Sequence, residues 1–227
     1  MSHDSTLAER LARVDGAIAD AARESGRSPA EITRIVVTKF HPAALVRELV
    51  ELGVRDVGEN RHQEAVAKAA ECADLDLRWH FVGQLQSNKA RAVRRYAGAV
   101  HSVDRPSLLR ALGDDEAPDL DCFLELNLTE DPGRGGVRPE GLTELAELAL
   151  ATPGIRLRGV MAVAPLGEEP RAAFARVRAV SEQLRALAPE ATAISAGMSG
   201  DFAAAIREGA THLRIGTAIT GKRPDRG

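Results

Sequence analysis

Two features of the chain could do chemistry together. The first is Lys39, which follows the apolar run Ile35-Val36-Val37-Thr38. A lysine placed where such a run stops would hold its amine in poorly hydrated surroundings. Desolvation there disfavours the ammonium and leaves a neutral amine, a nucleophile for carbonyl carbon and the chemistry of Schiff bases. Two plainer readings stand beside it: an ion pair with a carboxylate such as Glu59, or an aliphatic stem on apolar surface with its charge in water. The second feature is a pair of small-residue segments, Ser195-Ala-Gly-Met-Ser-Gly-Asp201 and Arg214-Ile-Gly-Thr-Ala-Ile-Thr-Gly221. Gly200 and Gly216 let backbone amides approach an anion, Ser199 and Thr217 add hydroxyl donors, and a helix opening near Asp201 points unsatisfied amides the same way. Ser199-Gly-Asp201 is equally an ordinary helix start, and Asp201 repels an anion unless its side chain turns away. An amine, a phosphate cradle and Arg214 as a fixed donor between them suit a phosphorylated aldehyde, either a sugar phosphate or a cofactor.

Gathering positions 39, 195–201 and 214–221 requires a fold that collects strand ends. Short β-branched runs predict strands over 35–38, 54–57, 79–82, 99–103, 122–128, 157–163, 191–195 and 212–215. Helical patterns alternate with them over 42–52, 63–70, from 87, from 104–106, around 142–149, across 174–187 and over 201–207. Leu7, Leu11, Val14 and Ile18 add an amphipathic helix ahead of the first strand, ending near Gly26 and Pro29. Eight such units without a composition break fit one α/β domain over 1–227, a closed (β/α)8 TIM barrel with an extra N-terminal helix. An open dinucleotide-binding sheet would want a glycine fingerprint after the first strand, where the chain reads Thr38-Lys-Phe-His-Pro42. Sites in barrels form where strands end, which adds Glu59, Asn60, Gln84, Asp104, Asn127 and Met161 to the candidates.

Several classes are disfavoured. The 227 residues are 44% hydrophobic and carry 30 Lys+Arg against 33 Asp+Glu, a formal charge of -3, so no global positive field recruits a polyanion or an anionic membrane. One Trp, one Tyr and five Phe leave few platforms for stacking bases. The acidic residues of the first ten positions break any signal-peptide core, and no apolar run reaches the ~18 residues of a membrane helix, so a cytoplasmic protein is expected. Cys72 and Cys122 stand apart, as two small buried hydrophobes. Six scattered histidines lack any HExxH pattern, which argues against a metal, and His80 between Trp79 and Phe81 reads as a hydrogen-bonded barrel histidine. Lys89, Arg91, Arg94 and Arg95 read as a solvated basic helix face, and Asp131-Pro-Gly-Arg-Gly-Gly136 as a flexible loop over the barrel mouth. No apolar helix face demands a partner, so a monomer is expected.

Seven separated motifs carry a family resemblance: VVTKFHP around Lys39, VGENRHQE over 57–64, WHFVGQLQSNKAR over 79–91, HSVDR from His101, LRGVMAV from Leu157, SAGMSGD from Ser195 and LRIGTAITG from Leu213. From about Leu7 to Arg223 the chain resembles the pyridoxal-phosphate homeostasis proteins, whose barrel is that of the alanine racemase N-terminal domain. The resemblance implies pyridoxal 5'-phosphate (PLP) as cofactor, with Lys39 forming the internal aldimine and Arg214 facing the pyridine nitrogen. It also implies that Ser199, Gly216 and Thr217 hold the phosphate and that Asn60 and Met161 line the ring. Thr38, Phe40-His41 and Gln84 depart from common family residues, away from the cofactor chemistry. The implied role is a PLP-binding protein without turnover of its own, serving vitamin B6 homeostasis and supplying PLP-dependent apo-enzymes.

A racemase is the alternative, and it needs proton-transfer groups on both faces of the adduct. Lys39 can serve one face, the only tyrosine, Tyr96, falls in a predicted helix, and no second domain is expected beyond Arg223 to supply another base. A Schiff-base aldolase for a phosphorylated substrate and a polyanion adaptor using residues 89–95 are the remaining alternatives.

Overall fold

The alternation of β-branched runs and helical segments becomes a closed ring of eight parallel strands in the computed structural model, which describes residues 5–131 and 133–222. The strands are β1 Thr33–Val37, β2 Asp56–Glu59, β3 Arg78–Phe81, β4 Ala97–Val103, β5 Leu120–Glu125, β6 Ile155–Met161, β7 Ala193–Ser195 and β8 His212–Ile215. Each pairs with the next, and β1 closes on β8 from Thr33↔His212 to Val36↔Ile215. The expected barrel is thus borne out. Around it run α1 Leu7–Glu24, α2 Ala43–Glu51, α3 His62–Glu71, α4 Ala90–Arg94, α5 Pro106–Leu112, α6 Leu142–Ala151, α7 Pro170–Leu187, α8 Phe202–Arg207 and α9 Thr217–Thr220. No helix among the described residues is long and apolar enough to cross a membrane.

The predicted N-terminal helix starts at a capping box. The Thr6 hydroxyl accepts from the Glu9 amide at 3.2 Å, and the Glu9 carboxylate accepts from the Thr6 amide at 2.9 Å. Its buried stripe, Leu7, Leu11, Val14 and Ile18, packs onto α8 and α9. Arg10 extends that contact by donating through Nε to the Ile219 carbonyl at 2.7 Å. The segments after β7 and β8 are therefore held from outside by the first helix of the chain.

Several boundaries differ from the pattern reading, each for a local reason. The predicted strand over 54–57 shifts to Asp56–Glu59, because Val54 still closes the turn after α2 through its amide to the Leu49 carbonyl at 2.9 Å. The apolar run over 122–128 ends as strand at Glu125. Leu126 bridges to Val137 instead, and the Asn127 amide donates to the Val137 carbonyl at 2.9 Å. The helix from 87 opens as a 3-10 turn over Ser87–Lys89 before α4. Tyr96 is not helical but lies in the turn before β4. α9 went unpredicted, since four residues including two threonines give no helical signature.

Arg94 corrects the reading of a solvated basic face. Its side chain is 8% exposed and caps carbonyls: Nη1 donates to Leu112 and Gly154 at 2.9 and 3.0 Å, and Nη2 donates to Pro118 at 2.8 Å. Only Arg91 and Arg95 of that group are exposed. The glycine-rich loop is tied to Asn127, just past the end of β5. Asn127 Nδ2 donates to the carbonyls of Asp131 and Arg134 at 3.1 and 3.0 Å. Gly136, at φ 110°, leaves so little room that a Cβ would lie 2.5 Å from the Asn127 nitrogen. Residues 1–4 of the acidic N-terminus, Pro132 of this loop and Arg223 lie outside the described residues.

Candidate functional site

The seven candidates sit on or just after five consecutive strands: β6 ends in Met161, β7 leads to Ser199, β8 carries Arg214 and leads to Gly216 and Thr217, β1 precedes Lys39, and β2 precedes Asn60. Pairing brings their ends together. Met161 is opposite Ser195, Val37 is opposite Gly58, and a Cβ on Gly216 would lie 3.7 Å from the Val37 carbonyl oxygen.

Lys39 departs from its expected surroundings. Thr38 is the last buried residue of the β1 run, and Phe40 adopts φ 69°, a left-handed conformation costly for a bulky side chain. This turn lifts Lys39 into an exposed position, with Nζ 5.6 Å from the Phe40 ring centroid and the Arg61 guanidinium 5.3 Å from the same ring. The desolvation argument for its amine therefore fails, because the strand ends two residues too early to bury it. The turn is fixed from α3, where Glu64 Oε2 accepts from the Phe40 amide at 3.0 Å.

Nor does Lys39 pair with Glu59. That carboxylate is 1% exposed and takes Lys68 Nζ at 2.5 Å and the Thr38 hydroxyl at 2.7 Å through Oε1. Lys68 also donates to the Thr38 carbonyl at 2.8 Å. Burial pushes the Glu59 carboxyl above its ordinary value, with Lys68 opposing. Neither Lys68 nor Glu64 was singled out from sequence, although both lie on the inward side of the helix that begins within VGENRHQE.

Arg214 is 5% exposed. Nη1 donates to the Ser195 hydroxyl at 2.7 Å and Nη2 to the Ala162 carbonyl at 2.9 Å, which uses two of the five N–H donors of a guanidinium. Burial lowers its pKa to about 10, with the charges of Glu125 and Asp201 pulling it back, so it remains a cation at neutral pH. Glu125, at the end of β5, is a third unforeseen group. Burial, then the charge of Asp104, raises it to about 7, and its Oε2 has no partner.

The two small-residue segments are joined where the Ser199 hydroxyl accepts from the Ala218 amide at 3.4 Å. Gly197 makes this possible. At φ 94° its Cβ would stand 2.8 Å from the Ala205 Cβ and 3.0 Å from the Phe202 Cα, so only glycine lets α8 close onto the strand end. Asp201 turns one carboxylate oxygen into its own loop, accepting from the Met198 amide at 2.6 Å. The bonds of α9 begin with the amide of Ile219 to the Gly216 carbonyl at 2.9 Å, so the amides of Thr217 and Ala218 precede them. A Cβ on Gly200 would meet nothing within 4 Å, and one on Gly216 only ordinary contacts, so what glycine preserves there is room beside the amides.

These residues fit a ring bearing a phosphate and a carbonyl. The cradle is open, Arg214 keeps unused donors, and the half-buried Asn60 has a buried Oδ1 without a partner. Met161 is buried beside Phe123 and Ala193. Asn127 is spent on its loop, with Oδ1 accepting from the amide and hydroxyl of Thr129 at 2.9 and 2.8 Å. His80 is the hydrogen-bonded barrel histidine expected, 2.9 Å from Asp56 Oδ1 and 2.9 Å from His101 Nε2.

The closed barrel and this mouth define a protein of the alanine racemase class: residues 21–224 match the family described as alanine racemase, N-terminal domain. The pyridoxal phosphate homeostasis protein of Pseudomonas aeruginosa is 45% identical over 96% of this chain and 96% of its own length. That of Corynebacterium glutamicum is 42% identical over 94% and 98%. Among solved structures, PipY of Synechococcus elongatus PCC7942 with PLP bound is 37% identical, with a TM-score of 0.79, and covers 95% of this chain and 100% of that one. The chain belongs to the pyridoxal phosphate homeostasis protein family.

Proposed function

We propose that this protein binds pyridoxal 5'-phosphate reversibly, without turnover of its own, and serves PLP homeostasis in the cytoplasm by supplying PLP-dependent apo-enzymes. The reading is supported chiefly by one observation: PipY, alike over nearly the whole chain, is solved with PLP bound. The residues at the mouth of the barrel agree with it. When bound, the cofactor supplies an aldehyde that condenses reversibly with an amine. Lys39 offers that amine, and its exposure favours exchange over retention. Arg214, which cannot accept a hydrogen bond, presents a donor to the pyridine nitrogen. Ser199 and Thr217 offer hydroxyls and Gly216 the close approach to the phosphate, while the Asn60 amide and the Met161 thioether border the ring.

The absence of turnover is argued from the missing second base. Tyr96 is the only tyrosine, and its hydroxyl, 3.5 Å from His62 Nδ1, is pushed up by burial and by the charge of Glu59, which keeps it protonated. The whole barrel over 1–227 acts as one unit and as a monomer, since the large exposed apolar side chains, among them Leu52, Val66, Leu150 and Leu187, are spread over the turn after α2 and over α3, α6 and α7.

The test is an absorption spectrum after PLP is supplied, then borohydride fixation and peptide mapping. Fixation at Lys39, lost in Lys39→Ala, is expected. A protein that stays colourless, or label on another lysine, overturns the binding reading. Racemisation or transamination of amino acids abolished by Lys39→Ala overturns the non-catalytic part, and carbon–carbon cleavage without a chromophore would indicate the aldolase.

A further inference from the structure

The interior of the barrel carries a hydrogen-bond chain that cofactor binding does not by itself explain. Asp56 opens β2 at the rim opposite the mouth, with its side chain 29% exposed. Its Oδ1 lies 2.9 Å from His80 Nε2, His80 Nδ1 lies 2.9 Å from His101 Nε2, and His101 Nδ1 lies 2.8 Å from the Ser195 oxygen. That oxygen lies 2.7 Å from Arg214 Nη1. The four links run from β2 through β3, β4 and β7 to β8. Their interior is dry in character: His80, His101 and Ser195 are buried, and the Phe123 ring stacks on His101 at 4.2 Å.

The two ends dictate the order of the protons. A carboxylate only accepts and a guanidinium only donates, while a neutral imidazole and a hydroxyl each carry one proton. Only one arrangement gives every link a single proton: Arg214 donates to Ser195, Ser195 to His101, His101 to His80, and His80 to Asp56. Both histidines are then protonated on Nε2 alone.

We propose that Asp56, His80, His101 and Ser195 form a one-way hydrogen-bond relay that positions Arg214 as a donor at the barrel mouth and makes Asp56 its remote counter-charge. The proton order concerns this chain alone, and its effect at the mouth rests on the cofactor-binding reading. Because His101 takes the only proton of Ser195, the serine meets Arg214 purely as an acceptor, and the guanidinium is fixed in orientation by Ser195 and the Ala162 carbonyl. The electrostatics agree. Burial pushes both imidazoles below the ordinary histidine value, His101 the further, with Asp56 pulling His80 back up. Burial pushes the Asp56 carboxyl up, but the hydrogen bond from His80 and the charge of Arg78 oppose it, and it lies below its usual range. The other groups facing the relay are Arg78 on β3, Asp121 on β5, and His212 on β8, which burial lowers to about 4 and which Arg158 of β6 also faces; at the mouth Glu125 of β5 and Asp201 face Arg214 directly.

The experiment has two arms. On the cofactor-free protein at neutral pH, ¹⁵N NMR of the imidazoles reads the tautomers directly. Protonated Nε2 and bare Nδ1 are expected at both His80 and His101, and a proton on Nδ1 of either overturns the relay whether or not PLP binds. On the PLP-loaded protein, Asp56→Ala removes the counter-charge two histidines away from Ser195. The pH midpoint of the visible band is expected to fall by about 0.3 unit, the scale of one charge lost across the barrel, and Asp56→Glu is expected to restore it. A profile superimposable on the parent's overturns the coupling. Should Asp56→Ala fail to fold, Asp56→Asn, which keeps the acceptor and loses the charge, takes its place with the same expected fall.

Discussion

Removing Lys68 isolates the buried network under the Lys39 turn. In Lys68→Met the volume of the side chain is nearly kept, but the Glu59 carboxylate loses its cation and the Thr38 carbonyl loses a donor. The two side chains are 8% and 1% exposed, so water cannot take the place of the missing ammonium. Breaking a buried pair by deleting one partner costs about 3–5 kcal/mol, because the surviving charge is left uncompensated. For a chain of this size that corresponds to a fall in melting temperature on the order of 10 °C.

The pH dependence carries the sign. Burial already holds the Glu59 carboxyl above its ordinary value, and loss of Lys68 removes the ammonium that opposed the rise. A carboxyl raised in the folded state contributes stability that is fully present below its unfolded pKa and is lost as pH rises through the folded one. The penalty of Lys68→Met should therefore be large near neutrality and shrink as pH falls towards the ordinary carboxylate range. The double variant Lys68→Met, Glu59→Gln should recover most of it. Urea unfolding at several pH values measures all of this. A penalty below about 1 kcal/mol at pH 7, or one that grows on acidification, would refute the reasoning.

Two further outcomes follow from buried groups. Glu125, raised to about 7 with one oxygen unpartnered, loses stability as pH climbs from its ordinary value through 7. Glu125→Gln should match the parent at acid pH and exceed it above pH 7 by about 3 kcal/mol at most, read from melting temperature against pH; equal curves at alkaline pH would count against it. Arg94→Ala strips donors from the carbonyls of Leu112, Gly154 and Pro118 and should cost about 3 kcal/mol. Arg91→Ala and Arg95→Ala should stay within about 0.5 kcal/mol of the parent in denaturant unfolding, and three equal effects would show that Arg94 is an ordinary surface residue.

What could be read from sequence was what local pattern controls. The β-branched runs gave eight strands, and alternation with helical segments gave their parallel closure, because strands buried on both faces must be apolar throughout. Boundaries slipped where a tertiary contact ended an element: Leu126 looked like strand and is drawn off by Val137. The candidate site could be read as residue types at strand ends, and as motifs, but not as geometry. The exposure of Lys39 depends on the left-handed turn at Phe40, which no propensity predicts for a phenylalanine. Lys68 looked like any helical lysine, since its partner Glu59 precedes the helix and faces it only once β2 is in place. His80, His101 and Ser195 were invisible as a set because they lie on β3, β4 and β7, and only closure of the ring makes them neighbours.

That closure also imposes a timetable on synthesis. The strand that seals the ring, β8, pairs with β1 and is made after the seven others, just ahead of Gly216 and Thr217. Lys39 and Asn60 emerge more than a hundred residues earlier. A nascent chain therefore presents Lys39 and Asn60 long before the strand that brings Gly216 and Thr217 beside them exists, and the barrel mouth is complete only once β8 has joined β1.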